Sequence, residues 1–387
     1  MSSNKIVAIS DLHLGQTGAD GLGQYSLLST RATPNLVARF ADAVAAFAGG
    51  DPVTLLVAGD LLDLSLAYAG DAIGDFLELV QALRRSARID ELIYVIGNHD
   101  HHLWSLHCED KRLLGPLRAG RPPEPGAQYR ITPPAGERFS ILPPLTSGNV
   151  TAPPTSITIA YPSYTRDLAG GTLLYVTHGH LFSGLYAELS GLLADKLAGL
   201  PHDRVAATVN PPLIELIYWH LGEIGEGLGA DGLVEQIYTD LQRGRDGRLR
   251  PIIARVVDQL LPHGVLWRAI GGLERRIVVD EVMRVIGKAL ESPPLKSVTS
   301  ADRHADVETT RAGLVAWLAA AQPLRVAATP DAIVLYGHTH VRDDYVIPDS
   351  RVHSYNLGTW LVEPNHDAPK TGFLAINGAD ARWVDVS

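Results

Sequence analysis

The chain has 387 residues, 46% of them hydrophobic and 20% charged, with a net charge of −10 and a pI near 5.8. This size predicts one large domain with an insertion, or two domains. The acidic balance argues against a protein that coats nucleic acid, and a single cysteine, Cys108, excludes an intramolecular disulfide.

In chain order, short runs rich in Val, Ile and Leu predict buried strands at 5–10 (KIVAIS), 53–59 (VTLLVAG) and 91–97 (ELIYVIG). Helical patterns lie between them at 35–48 and 72–87. Residues 115–155 are rich in proline and glycine and predict a long surface excursion, with a short strand at 128–132. Strand signals return at 156–162, weakly, and at 172–179 (TLLYVTHG). From 181 to 330 helical patterns dominate: leucines 185, 189, 192, 193 and 197 recur at helical spacing, and so do the apolar residues of 213–224, 252–261, 277–290 and 311–321. Strands resume at 332–337 (AIVLYG) and, weakly, 352–358, and the tail 371–387 reads as a hairpin turning at NGAD. Alternating strands and helices imply α/β layers interrupted by a helical insertion.

Chemistry-bearing side chains cluster just after the strands. SDLHLG (10–15) carries Asp11 and His13, and GDLLD (59–63) carries Asp60 and Asp63. GNHD (97–100) carries Asn98, His99 and Asp100, THGH (177–180) carries His178 and His180, and GHTH (337–340) carries His338 and His340. In open α/β sheets the ligand crevice lies beyond the carboxyl ends of the strands, so five clusters distant in sequence are expected to converge. Aspartate, histidine and an asparagine amide suit Mn, Fe or Zn better than Ca or Mg, and the number of donors favours two metals sharing one carboxylate. Glycine beside the donors permits sharp turns and close approach to a metal. Alone, Asp11 or Asp60 reads as a helix cap; the flanking motifs favour ligation.

This series of motifs, D-x-H, GD-x-x-D, GNH-[DE], a lone H and GH-x-H, resembles the calcineurin-like metallophosphoesterase superfamily. The resemblance covers residues 5–180 and 331–365 and leaves the insertion unexplained. It implies a four-layer sandwich of two mixed β-sheets flanked by helices. With the helical patterns between, this divides the chain into a core at 1–180, a mostly α-helical cap inserted at 181–330, and the rest of the core at 331–387. Asp11, His13 and His340 would hold one divalent metal, and Asn98, His178 and His338 a second, with Asp60 bridging. His99 would act as general acid or stabilise charge on the phosphate, and Asp100 would orient His99 by a hydrogen bond. Asp63 would support the ligands. Hydroxide between the metals would attack phosphorus in line. A dinuclear phosphodiesterase or diphosphate hydrolase is the implied activity, with phosphomonoesterase, nuclease and non-catalytic scaffold as alternatives. A small-molecule or lipid-linked phosphate is the expected substrate. UDP-diacylglucosamine hydrolases look similar in plan, but they carry Arg where this chain has His99 and have a much shorter lid, so that substrate is not assigned.

Other residues divide between function and packing. His180 stands open between a supporting or substrate contact and an ordinary loop position. His101 and His102 read as the start of the next helix, and Cys108 as a small buried hydrophobe. Asn356 in NLGTW (356–360) either shapes the site or forms a turn over Trp360. In the insertion, Tyr186, Tyr218, Trp219, Trp267 and Trp317 either face a ligand or pack as core, and QRGRDGRLR (242–250) reads as a solvated turn. The insertion leaves after His178 and returns before His338, which places it as a lid; its apolar stripes could equally join two copies. No apolar run approaches the ~18 residues of a membrane span, and the opening residues lack a signal-peptide pattern, so a cytoplasmic protein is expected.

Overall fold

The computed structural model describes residues 5–17, 24–65, 67–123, 133, 135–139, 155–182, 186–187, 190, 202–220, 276, 279–280, 300–320, 331–363 and 367–386. Apart from isolated residues, the expected strand at 128–132, the leucine stripe of 185–197, the run 242–250, Trp267 and the helical patterns of 252–261 and 277–290 lie outside them.

The strands in chain order are β1 (Lys5–Ile9), β2 (Tyr25–Ser26), β3 (Val53–Ala58), β4 (Ile89–Val95), β5 (Glu137–Arg138), β6 (Ser156–Ala160) and β7 (Ser163–Asp167). They continue with β8 (Leu173–Thr177), β9 (Ala332–Tyr336), β10 (Arg342–Val346), β11 (Val352–Leu357), β12 (Leu361–Val362), β13 (Gly372–Asn377) and β14 (Asp380–Asp385). One seven-stranded sheet runs β14-β13-β1-β3-β4-β6-β5, and a five-stranded sheet runs β10-β11-β9-β8-β7. Both are mixed. In the first, β1, β3, β4 and β6 are parallel and the outer strands antiparallel. In the second, β8, β9 and β11 are parallel between two antiparallel edges.

The central strands are apolar on both faces because both faces are covered. Alternate residues of the first sheet (Ile6, Ala8, Leu56, Ala58, Ile93, Val95) pack against Leu174, Val176, Ile333 and Leu335 of the second. The intervening residues (Val7, Ile9, Leu55, Val57, Leu92, Tyr94) face the other way, into the cluster that the helices complete. The period of two thus sorts each strand between an inter-sheet core and a helix-facing core.

Three helices cover the first sheet: α1 (Pro34–Ala48), α2 (Ala69–Ser86) and α3 (His101–Glu109). α1 starts with proline in its first turn and stops at Gly49, whose φ is 57°. Its stripe of Leu36, Val37, Phe40, Ala41 and Val44 is buried, with Phe40 edge-on to Trp360 and Phe373. α2 buries Phe76, Leu79, Val80 and Leu83, and also one carboxylate, Asp75. Asp75 accepts from Arg31 at 2.7 and 3.0 Å and from the Gly15 N–H at 3.1 Å. A helix residue thereby fixes the loop that carries Asp11 and His13.

The described helices between 181 and 330 are α4 (His202–Val209), α5 (Pro211–Ile214), which continues as a π-helical turn Glu215–His220, and α6 (Ser300–Ala320). α6, expected within the insertion, lies against the five-stranded sheet. Trp317 is buried and donates to the Tyr175 hydroxyl at 2.9 Å, and Arg311 pairs with Asp343 at 2.5 Å. α6 thus forms the fourth layer. Among the described residues, no helix is long and apolar enough to cross a membrane.

Candidate metal centre

Every expected donor stands at the carboxyl end of a parallel strand: Asp11 and His13 after β1, Asp60 and Asp63 after β3, Asn98 and His99 after β4, His178 after β8, His338 and His340 after β9. The two facing sheets bring these ends together. His13 and His340 point their Nε2 atoms at one another, 3.2 Å apart, and His340 Nε2 lies 3.4 Å from Asp11. His178 Nε2 lies 3.1 Å from both Asp60 Oδ2 and Asn98 Oδ1. Asp60 Oδ2 is also 3.9 Å from His13. His338 sits beside them, its ring 5.3 Å from that of His178, and its backbone N–H is 3.1 Å from both Asp11 carboxylate oxygens.

Three overlapping groups bring donor atoms within 4.8 Å of one another: Asp11, His13 and His340; His13, Asp60 and His99; Asp11, Asp60 and His178. Asp11, His13 and Asp60 each occur in two of them, so the three groups form one continuous cluster of donors. Two histidine nitrogens 3.2 Å apart must share a cation, either a proton or a metal ion. Two nitrogens bound at 2.0–2.1 Å to one tetrahedral ion would stand roughly 3.3 Å apart.

The rear nitrogens of these rings are already committed. His13 Nδ1 faces Asp63 at 3.1 Å, His340 Nδ1 faces Glu363 at 3.0 Å, and His178 Nδ1 faces the Ala58 carbonyl at 2.9 Å. Donation from Nδ1 fixes the tautomer that leaves Nε2 as a lone pair, which is how proteins orient histidine for a metal. The donor set therefore fits divalent ions.

The backbone points the same way. Asp11, His13, Asp60, His338 and His340 all have φ between 47° and 73°. Non-glycine residues adopt this region at a cost of about 1–3 kcal/mol each and hold it only where the surroundings dictate it. Among the described residues, the one other non-glycine residue so placed is Asp349, in a surface turn. The neighbouring glycines are required by contact: a Cβ on Gly97 would overlap the Asp60 carboxylate, and one on Gly337 would overlap Asp11.

Electrostatics follow from carboxylates and imidazoles packed out of water. Burial alone would raise the Asp60 carboxyl, but His178 and His99 hold it well below the usual range. Burial likewise works against a charged His340, yet Glu363 and Asp11 push its pKa up to about 10. Burial and the nearby His178 push His338 down to about 3. Burial also works against a charged His178, yet Asp60 and Asp11 push its pKa up to about 9, so the cluster draws positive charge, which bound divalent ions would supply.

Asp100 departs from expectation. Its oxygens accept from Gly97 N (2.7 Å), Leu61 N (2.8 Å) and the Tyr94 hydroxyl (2.5 Å), and none faces the His99 ring. Asp100 ties together the GD and GN loops. His99 is oriented instead by Ser65, whose Oγ lies 2.8 Å from Nδ1, with Asp63 at 3.4 Å. Asp63 therefore supports two rings at once, His13 and His99. Asn356 donates to Thr339 Oγ1 at 2.7 Å and to the Gly337 carbonyl at 3.3 Å, bracing the GHTH loop. His180 is buried behind the donors, its ring 5.4 Å from His178 and 5.6 Å from Tyr186. Cys108 is buried, as expected.

Sequence reasoning missed Ser65, Glu363 and Glu215. Ser65 and Glu363 carry no motif; only proximity in the fold reveals them. Glu215, from the π-helical turn, is held by His101 and His102, which read from sequence as a plain helix start.

The chain belongs to the calcineurin-like phosphoesterase family, whose model matches residues 4–214. It is accordingly a metal-dependent phosphoric ester hydrolase. Comparison with curated proteins returned no match. Among solved structures, the phosphopantetheinyl hydrolase PptH from Mycobacterium tuberculosis is 14% identical, over 94% of this chain and 98% of that one, with a TM-score of 0.26.

Proposed function

We propose that the chain hydrolyses a phosphodiester or diphosphate with two divalent ions, Asp11, His13 and His340 holding one, Asn98, His178 and His338 the other, and Asp60 both. The observation that carries this is the convergence of donors from five strand ends, with left-handed φ at five of them and the rear nitrogens of three histidines already bonded. Bound ions would polarise the phosphoryl oxygens and lower the pKa of water from ~15.7 toward ~7. Manganese, iron and zinc all suit this donor set.

The chain supplies the rest. His99, one-sixth exposed and held at Nδ1 by Ser65, presents its Nε2 edge for the leaving-group oxygen. Burial opposes its charged form, but Asp63 and Asp60 outweigh that and raise its pKa, a direction that suits a general acid for a leaving alkoxide. Asp60 Oδ1 accepts from the His99 backbone N–H at 2.9 Å, which ties the loop carrying His99 to the bridging carboxylate. Residues 202–220 belong to a cap that sorts substrates; α6 goes with the core rather than the cap. The substrate is a small or lipid-linked phosphate ester, and the net charge of −10 disfavours DNA or RNA.

The test is an assay of manganese-loaded protein against an aryl phosphodiester and an aryl phosphomonoester side by side, with His99→Ala as control. Diester cleavage falling by about 10²–10⁴-fold in the variant, at unchanged metal content, is the expected result. Monoester cleavage alone would make the protein a phosphatase, and cleavage equal to wild type in the variant would remove His99 from the chemistry.

A further inference from the structure

The insertion does not merely pass near the metal centre; it places one side chain inside it. Tyr218, on the π-helical turn, packs its ring 4.6 Å from that of His99, tilted by 51°. Its hydroxyl is hydrogen-bonded to the side chains of Asn98 and Tyr186. This helix turn is seated by a clamp. The Glu215 carboxylate accepts from three groups on α3: His101 Nδ1 at 2.5 Å, Ser105 Oγ at 2.7 Å and His102 Nδ1 at 2.8 Å. Trp219 then stacks flat on His102, with 3.7 Å between centroids and 7° between planes. π-Helical turns recur at functional sites because the extra residue re-aims side chains that a regular α-helix would turn away. α3 begins immediately after Asp100, so the clamp fixes Tyr218 to the same loop that carries Asn98 and His99.

Resting on the phosphoesterase reading above, we propose that Tyr218 is a substrate-binding residue, donating its hydroxyl hydrogen bond to a non-bridging phosphoryl oxygen, and that Glu215 is the positioning residue that holds it there. A phosphoryl group bounded by Asn98 and His99 lies within reach of this hydroxyl. The phenol remains a neutral donor, so the interaction strengthens as negative charge gathers on the phosphoryl oxygens. The site is thus incomplete without the insertion, and the cap takes part in binding rather than only limiting access.

The test uses the full chain loaded with manganese, comparing wild type with Tyr218→Phe, Glu215→Ala and the double variant. Two quantities are read: the dissociation constant of inorganic phosphate by calorimetry, and kcat and KM for the aryl phosphodiester. A lost hydrogen bond to a charged group predicts phosphate binding about tenfold weaker in Tyr218→Phe and kcat/KM lower by about ten- to a hundredfold, most of it in kcat. Bound manganese and melting temperature stay at wild-type values in Tyr218→Phe. Glu215→Ala shows a loss of similar size, and the double variant is no worse than Glu215→Ala, because both act through one hydroxyl. Phosphate binding unchanged in Tyr218→Phe overturns the proposal, as does a Tyr218→Phe variant that loses manganese. A wild type that binds phosphate but cleaves no ester overturns the hydrolase reading alone, since the calorimetric arm still decides the role of Tyr218.

Discussion

Glu363 and Asp63 illustrate how much of this centre is built from residues that touch no substrate. Each holds the rear nitrogen of a histidine whose front nitrogen faces the ligand cluster. Removing the charge while keeping the shape should leave the fold intact and loosen the ring. Glu363→Gln is expected to weaken manganese binding by about 10–100-fold, read by titration with a metal indicator; unchanged affinity would mean that His340 is not a ligand. Asp100 makes the opposite prediction. Three donors converge on a carboxylate with no exposure, and none belongs to His99. Asp100→Asn must break at least one of these bonds while sparing the acid. Denaturant melts should show a loss of about 1–3 kcal/mol, with kcat of the folded protein within a few-fold of wild type. A kcat collapse in a fully stable variant would restore the catalytic role expected from sequence. What made the ligands legible is that metal chemistry demands particular residue types at fixed offsets after strands. Ser65 and Glu363 sit in no such motif, and the place each occupies exists only after folding; Tyr218 stood in the sequence among several aromatic residues that could face a ligand or pack as core.

Among elements, the central strands were legible because burial on both faces makes them continuously apolar: β1, β3, β8 and β9 fall within the predicted runs, and β4 overlaps its run at 91–97 but starts two residues earlier, at Ile89. The hairpin β13–β14 turns at Asn377 to Asp380 as read. The edge strands β7 (SYTRD) and β10 (RDDYV) were missed for the complementary reason. An edge strand needs polar, charged residues to discourage further pairing, and that removes its apolar signature. The two-residue strand β5 is held by charge rather than by pattern. Its Glu137 meets His107 at 3.0 Å, Lys111 at 2.6 Å and Arg112 at 3.3 Å. The hydrogen bond from His107, followed by Lys111, outweighs partial burial and draws the Glu137 pKa from 4.5 down to about 2. A depressed carboxyl stabilises the fold above its unfolded value and loses that contribution as pH falls through its folded value. The melting-temperature gap between wild type and Glu137→Gln should therefore be widest above about pH 5 and shrink between 4.5 and about 2. A gap independent of pH would show that the ion cluster contributes nothing.

At the scale of the whole molecule, two sheets that share one core aim their carboxyl ends at a single point, and donors from residue 11 to residue 340 meet there. The convergence could be inferred from sequence through the rule that ligands gather at strand ends. The organisation of 181–330 could not, because helical periodicity gives the buried face of a helix but not its partner. α6 proved to be the outer layer of the second sheet, while the turn at 215–220 reaches the metal centre. The central claim is that this point holds two ions that together cleave a phosphate ester. It is tested most directly by titrating metal-free protein with manganese and following aryl phosphodiester hydrolysis against ions bound per chain. The account predicts negligible turnover at none, a rise that levels off at two per chain, and full loss on adding chelator. A plateau reached at one ion, or saturation with two ions and no ester cleaved, would contradict it.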